Sequence, residues 1–173
     1  MAKVKRCRTL AIEIRSRKIG YAVFEGTKIL FDWGVRFFVK EQESDLDHKL
    51  VKLLEKVRPT VILLSSVRAR DKRNGHSVRA HIRLIKKRAG LLSIPTKSLS
   101  KVYLRTHFAR SGRWNKHEVA EAIAKRFPEL AWHLPRKRKP WQSEPKRQLV
   151  FDAAALALHY FTTQKHCGDQ IPD

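Results

Sequence analysis

Two acidic side chains stand among apolar neighbours. Glu13 lies near the end of the alternating run LAIEIR, residues 10–15, with Arg15, Arg17 and Lys18 close by. Asp152 is the one charge between Leu149 and Phe161, in LVFDAAALALHYF, with His159 seven residues beyond it. A carboxylate withdrawn from water must be paired, protonated or bound to a cation. Pairing is the structural outcome: Arg15 or Arg17 would serve Glu13, and an arginine from elsewhere would serve Asp152. Metal coordination is the chemical outcome, and it needs the two acids to meet in space.

The charge balance sets the partner. The 173 residues include 38 Lys and Arg against 16 Asp and Glu, a formal net charge of +22. One body of this size cannot neutralise that excess internally. Nucleic acid is the usual polyanion, because each phosphate contact releases condensed counterions. A membrane binder would gather its charge on one amphipathic helix or one run, whereas here it is spread along the chain. Arg68, Arg70, Lys72 and Arg73 in VRARDKRNG are candidate nucleic-acid contacts, as are Arg113 and Lys116 in GRWNKHEV. So are Arg136, Lys137, Arg138, Lys139 and Trp141 in LAWHLPRKRKPWQSEP, together with Arg15 and Arg17. Basic residues interleaved with aromatics can grip a backbone and stack on bases; a solvated linker is the plain alternative.

Other chemistries are poorly supplied. The eight His make no pair at zinc spacing, and His76, His81, His107 and His117 read as surface residues or phosphate contacts. Ser65 and Ser66 lack a nucleophile elbow, and the seven Gly form no phosphate-cradling loop. Cys7 and Cys167 make no disulfide framework. The basic start leads into no apolar leader, and no transmembrane run follows. These features suit a reducing, cytoplasmic setting.

Periodicity supplies the elements that must position Glu13 and Asp152. Leu10, Ile12 and Ile14 share one face of a strand, which sends Ala11 and Glu13 to the other. KIGYAVFEG and TKILFDWGVRFFVK read as second and third strands reversing near Gly26, an antiparallel meander. In ESDLDHKLVKLLEKVRP, Leu46, Leu50, Leu53, Leu54 and Val57 recur at helical spacing, with Pro59 after the stop. TVILLSS is a strand covered on both faces. HSVRAHIRLIKKRAG is a helix with Val78, Ile82 and Ile85 on one face, ending at Gly90. LLSIPTKS is a weak strand that Pro95 suits to an edge, and SLSKVYLRTHF a short helix. Asn115 and Glu118 form a capping box for a helix that stops before Pro128. Residues 131–143 read as an irregular, exposed basic loop, and KRQLVFDAAALALHYFTTQ as a buried helix. The whole is a single α/β domain over residues 1–173.

This order lets the first and fourth strands lie side by side with their ends meeting the last helix. It resembles the RNase H-like nucleases, and within them the RuvC-like Holliday junction resolvases. LAIEIRSRKIGYAVFEG is similar to that family's first-strand motif, ILFDWGV to its third strand, RPTVILLSS to its fourth and FDAAALALHYF to its last helix. The resemblance implies an RNase H-like fold: a mixed five-stranded sheet, a three-stranded antiparallel meander plus parallel strands, flanked by helices. It implies catalytic, metal-binding roles for Glu13 and Asp152, which fall on the family's first-strand and last-helix aspartates. Ser65 stands where the fourth-strand glutamate is expected, Leu149 at the second acidic position of the last helix, and Arg68 in place of a base-contacting aromatic. Asp71 and Glu144 are candidate substitutes.

Two Mg²⁺ ions about 4 Å apart need carboxylates that bridge and neutralise them. Mg²⁺ also holds to octahedral geometry at roughly 2.1 Å, which a Glu in place of Asp displaces. The implied cofactor is Mg²⁺ or Mn²⁺, as one ion or none. Two functions are therefore expected in alternative. One is a protein that binds duplex or branched DNA on a resolvase-like scaffold with impaired or absent cleavage, a pseudo-nuclease. The other is an active Mg²⁺- or Mn²⁺-dependent, structure-selective endonuclease of DNA recombination. RNA binding is a third reading, since phosphate affinity does not distinguish the sugars. The resemblance also implies a homodimer matched to the two-fold symmetry of a junction.

Overall fold

Leu10, Ile12 and Ile14 do point to one side of the first strand and Ala11 and Glu13 to the other, and both sides are covered. The computed structural model describes residues 7–39, 43–66, 75–100, 115–137, 139, 141 and 143–163. Strands β1 (Arg8–Ile14), β2 (Lys18–Glu25) and β3 (Ile29–Phe37) form the meander. Helix α1 (Glu43–Val57) leads to β4 (Val61–Ser65), which pairs parallel to β1. Helix α2 (Gly75–Leu91) leads to β5 (Thr96–Leu99), parallel to β4 at the sheet's edge. Helix α3 (Lys116–Arg126), a 3-10 turn (Pro128–His133) and helix α4 (Gln148–Thr163) complete the order. The sheet runs β3-β2-β1-β4-β5, the mixed five-stranded arrangement expected.

The alternation of each strand builds two cores. Leu10, Ile12, Tyr21, Ile62 and Leu64 pack under α1 and α2, while Ala11, Ala22, Phe24 and Leu63 pack under α3 and α4. Helix α4 is buried from Gln148 to Leu158, as its all-round apolar sequence requires. It comes closest to the sheet over Gly20. A Cβ there would strike the Leu149 side chain and lie 2.6 Å from that residue's backbone carbonyl atoms. Gly26 has the other use of glycine: at φ +64° it turns the chain from β2 into β3.

Several boundaries differ from expectation. Helix α2 runs through Gly90, and the left-handed residue that ends it is Ser93 at φ 54°. Its amide donates to the Gly90 carbonyl at 3.0 Å and the Ile94 amide to the Ala89 carbonyl at 2.8 Å, a Schellman cap. Leu91 is therefore helical, and the edge strand begins only at Thr96, after Pro95. Residues 131–133 belong to the 3-10 turn, seated by the buried Leu130, so the loop expected at 131–143 starts later. The short helix expected in SLSKVYLRTHF loses Ser98 and Leu99 to β5, and its remainder from 101 lies outside the described residues. His81 is not a surface residue. It is buried in α2 and meets the Phe38 ring edge-on at 4.8 Å, because the chain leaving β3 crosses that helix. Cys7 is a free thiol, half buried, and Cys167 lies outside the described residues.

Two measurements test these assignments. Gly20→Ala should cost about 1–3 kcal/mol in urea unfolding, since helix backbone must move. Gly26→Ala, with open space around it, should cost only about 1 kcal/mol for its φ. Burial holds the His81 imidazole below its ordinary pKa. The neutral form is the folded one, so its contribution is present above pH 6.5 and lost as pH falls through the depressed value. Wild type should accordingly lose Tm relative to His81→Phe between pH 7 and pH 5.

Candidate functional site

The row of side chains at the end of the sheet decides where the acids meet. Glu13 pairs with Gly20 across β1 and β2, and the β1–β4 register sets Ile12 beside Leu64, so Ser65 comes next to Glu13 on the same face. The first turns of α4 cross this row. Leu149 seats the helix on Gly20, and one turn along, Asp152 looks onto the end of β1. Glu13 and Asp152 are both buried, at 2% and 8% exposure.

They meet through shared cations. Arg15, one residue beyond β1, places its guanidinium 3.7 Å from Glu13 Oε1, 3.3 Å from Glu144 Oε2 and 3.6 Å from Asp152 Oδ2. Lys116, the first residue of α3, sets its ammonium against Glu144 Oε1 and 3.3 Å from Asp152 Oδ2. Gln148 Nε2 donates to Asp152 Oδ1 at 3.1 Å and lies 3.4 Å from the Lys116 carbonyl. Burial pushes the Asp152 carboxyl above the usual aspartate range. Lys116 opposes this, Glu13 adds to it, Gln148's hydrogen bond opposes it and Glu144 adds again.

The expected residues divide accordingly. Glu13 and Asp152 converge, and Glu144, a candidate substitute, joins them; Asp71 lies outside the described residues. Of the two arginines offered to Glu13, Arg15 takes the role and Arg17 is exposed on the turn. Lys116 and Arg15 were expected on nucleic acid and here face carboxylates. Leu149 is buried against the sheet and brings no charge, nor does Ser65. His159 lies about 10 Å further along α4, at about 1.5 Å per residue. Gln148 was missed. Its signal was legible, a polar residue four positions before the lone acid of an apolar helix.

A cavity of about 270 Å³ adjoins the cluster and shares Lys116, Glu144 and Gln148 with it; Arg136, Lys137 and His117 line it together with Asn115 and two prolines. His117 Nε2 is 3.3 Å from Glu121 Oε1. Lys139 and Trp141 are exposed, the ammonium 5.4 Å from the ring centroid. On the other flank of α4, Trp33, Phe37, His133, Lys146 and Arg147 line an open cavity of about 610 Å³. Those residues were not singled out in sequence, because strand and helix starts carry them separately. Arg68, Arg70, Lys72, Arg73, Arg113 and Arg138 lie outside the described residues.

The residues present do not fit a divalent metal. The three acids are separated by an ammonium and a guanidinium, and Gln148 turns N–H rather than a lone pair to Asp152. Among the described residues no group of three or more Cys, His, Asp or Glu is arranged to hold an ion.

A raised pKa in the fold means that Asp152 favours folding fully below its unfolded value near 3.9, and less as pH rises through the folded value. The stability of Asp152→Asn relative to wild type should therefore rise with pH from 4 upward. Urea midpoints of the two proteins across pH check it.

No family model matches the sequence, and no curated protein does. Solved structures do match in fold. RuvC of Thermus thermophilus in complex with a Holliday junction substrate superposes at a TM-score of 0.64, with 17% identity over 88% of this chain and 91% of that one. The yeast mitochondrial Holliday junction resolvase gives 0.63, with 18% identity over 90% of this chain and 78% of its own. The fowlpox virus resolvase, complexed with Holliday junction DNA, gives 0.52, with 12% identity over 90% and 97%. The chain thus has the mixed five-stranded, helix-flanked fold of a RuvC-like resolvase.

Proposed function

We propose that this chain binds DNA, branched or duplex, on a resolvase-like scaffold whose two-metal cleavage is impaired or absent. The observation that carries the reading is the joining of the cavity at Arg136 and Lys137 to the carboxylate cluster at Lys116 and Glu144. A nuclease of this fold would bring a phosphate chain to that rim. Here Arg136 and Lys137 stand on the rim, exposed, as phosphate contacts. The net charge of +22 supports a polyanionic partner, and two of the structural neighbours are resolvases complexed with Holliday junctions. Exposed Trp132 and Trp141, at 89% and 77%, offer rings for unpaired bases beside the same loop.

The cleavage half of the reading rests on charge. Ser65 and Leu149 supply none where the family resemblance expects acids, and the acids that do converge are already met by Arg15 and Lys116. Mg²⁺ or Mn²⁺ is accordingly given no part. Binding as a homodimer belongs to the same proposal, because a junction has two-fold symmetry.

The test is binding and cleavage on four-way junction, duplex and single-stranded DNA, and on RNA, with Mg²⁺ and with Mn²⁺. Binding should weaken linearly in log–log against salt, with a slope of about −0.9 for each duplex phosphate neutralised. Arg136→Ala with Lys137→Ala should reduce that slope by about 2. DNA products that vanish in Asp152→Asn would instead establish a metal-dependent endonuclease, and preference for RNA would move the reading to the other sugar.

A further inference from the structure

Asp152 is met by nitrogen alone among the described residues. Its Oδ2 lies 3.6 Å from Arg15 and 3.3 Å from Lys116, and its Oδ1 receives the Gln148 amide at 3.1 Å. The same two cations share Glu144, and Arg15 extends to Glu13. A divalent ion asks its neighbours for oxygen lone pairs. This arrangement is the complement: acids outside, positive charge between them.

The placement of Lys116 is not explained by its own helix. It is the first residue of α3, where the dipole disfavours a cation. A lysine in that position would gain by extending into water. Instead its ammonium turns to Glu144 and Asp152, at 35% side-chain exposure. The acids hold it there.

We propose that Arg15 and Lys116 are built-in counter-ions that take the place of divalent metal among Glu13, Glu144 and Asp152, and that removing the Lys116 charge uncovers a latent divalent-cation site. The corner vacated by the ammonium is bounded by Glu144 and Asp152. Gln148 completes it, since rotation of its amide turns Oε1 inward. Arg15 remains within reach of Glu13, Glu144 and Asp152, so one positive charge is then left against three carboxylates. The native protein keeps its acids together without an ion, and its dependence on Mg²⁺ or Mn²⁺ is abolished by charge rather than by loss of every ligand.

Mn²⁺ alone is the probe, read by Tm and by the loss of its free-ion electron-spin signal. Wild type should show neither response. Lys116→Met should bind Mn²⁺ and gain about 3–6 °C in Tm at ion tenfold above Kd, and Lys116→Met with Asp152→Asn should lose both responses. Lys116→Gln is the second variant, should the methionine protein not fold, with the same expectation. Mn²⁺ binding by wild type that Asp152→Asn abolishes would overturn the proposal, because the ion would then displace the lysine unaided. Silence in both single variants of Lys116 would overturn it equally. Junction affinity measured in EDTA reports separately on the DNA-binding reading: its absence with the Mn²⁺ responses intact would remove that reading and leave this one.

Discussion

Asp152 sits in a helix buried from Gln148 to Leu158, where water cannot solvate its charge. Such a group must be met by protein, and three segments distant in sequence are drawn in to meet it: the β1–β2 turn through Arg15, the start of α3 through Lys116, and the approach to α4 through Glu144. Much of the tertiary arrangement at this end of the sheet is a consequence. Replacing the acid's surroundings with apolar side chains would leave a charge without compensation, which is the costliest form of burial. The apolar faces of α3 and α4 drive their packing, and the starts of both helices bear on this carboxyl group.

The sheet makes the convergence geometric. Both faces are covered, so β1 and β4 carry side chains into two separate cores, and every residue of the two strands but Arg8 is buried. Gly20 lets α4 lie against β2 at backbone distance. That approach sets the height of Asp152 above Glu13, with Ser65 beside it in the neighbouring strand. A larger residue at 20 would lift the helix and separate the acids, so the uncharged glycine paired with Glu13 governs the electrostatics.

Charge is organised in opposite senses inside and outside. Within the cluster, two cations are spent on three carboxylates; outside it, Arg17, Arg136, Lys137 and Lys139 face water with a large excess behind them. An inner site filled by side-chain cations and an outer rim left positive make the contrast on which the proposed binding rests. That is the physical content of the proposed function. The fold neighbours share this sheet and its helices at 12–18% identity.

Local sequence determined the three-strand meander, helix α1, the two-sided burial of TVILLSS and of the last helix, the edge position after Pro95, and the capping box at Asn115, because each depends on residues within a few positions of one another. Local sequence misplaced the end of α2, since Ser93 rather than Gly90 adopts the left-handed turn, and it misread His81, whose burial comes from Phe38 of another element. The acids at 13 and 152 were legible as anomalies in apolar surroundings, and the resemblance to a nuclease family brought them to one rim. Their partners were not legible. Arg15 has Arg17 as an equal neighbour in sequence, and Lys116 is one of 38 basic residues. Which cations turn inward is settled only when strand register and helix packing fix the distances, because Coulomb energy and desolvation depend on ångströms in space and not on separation along the chain.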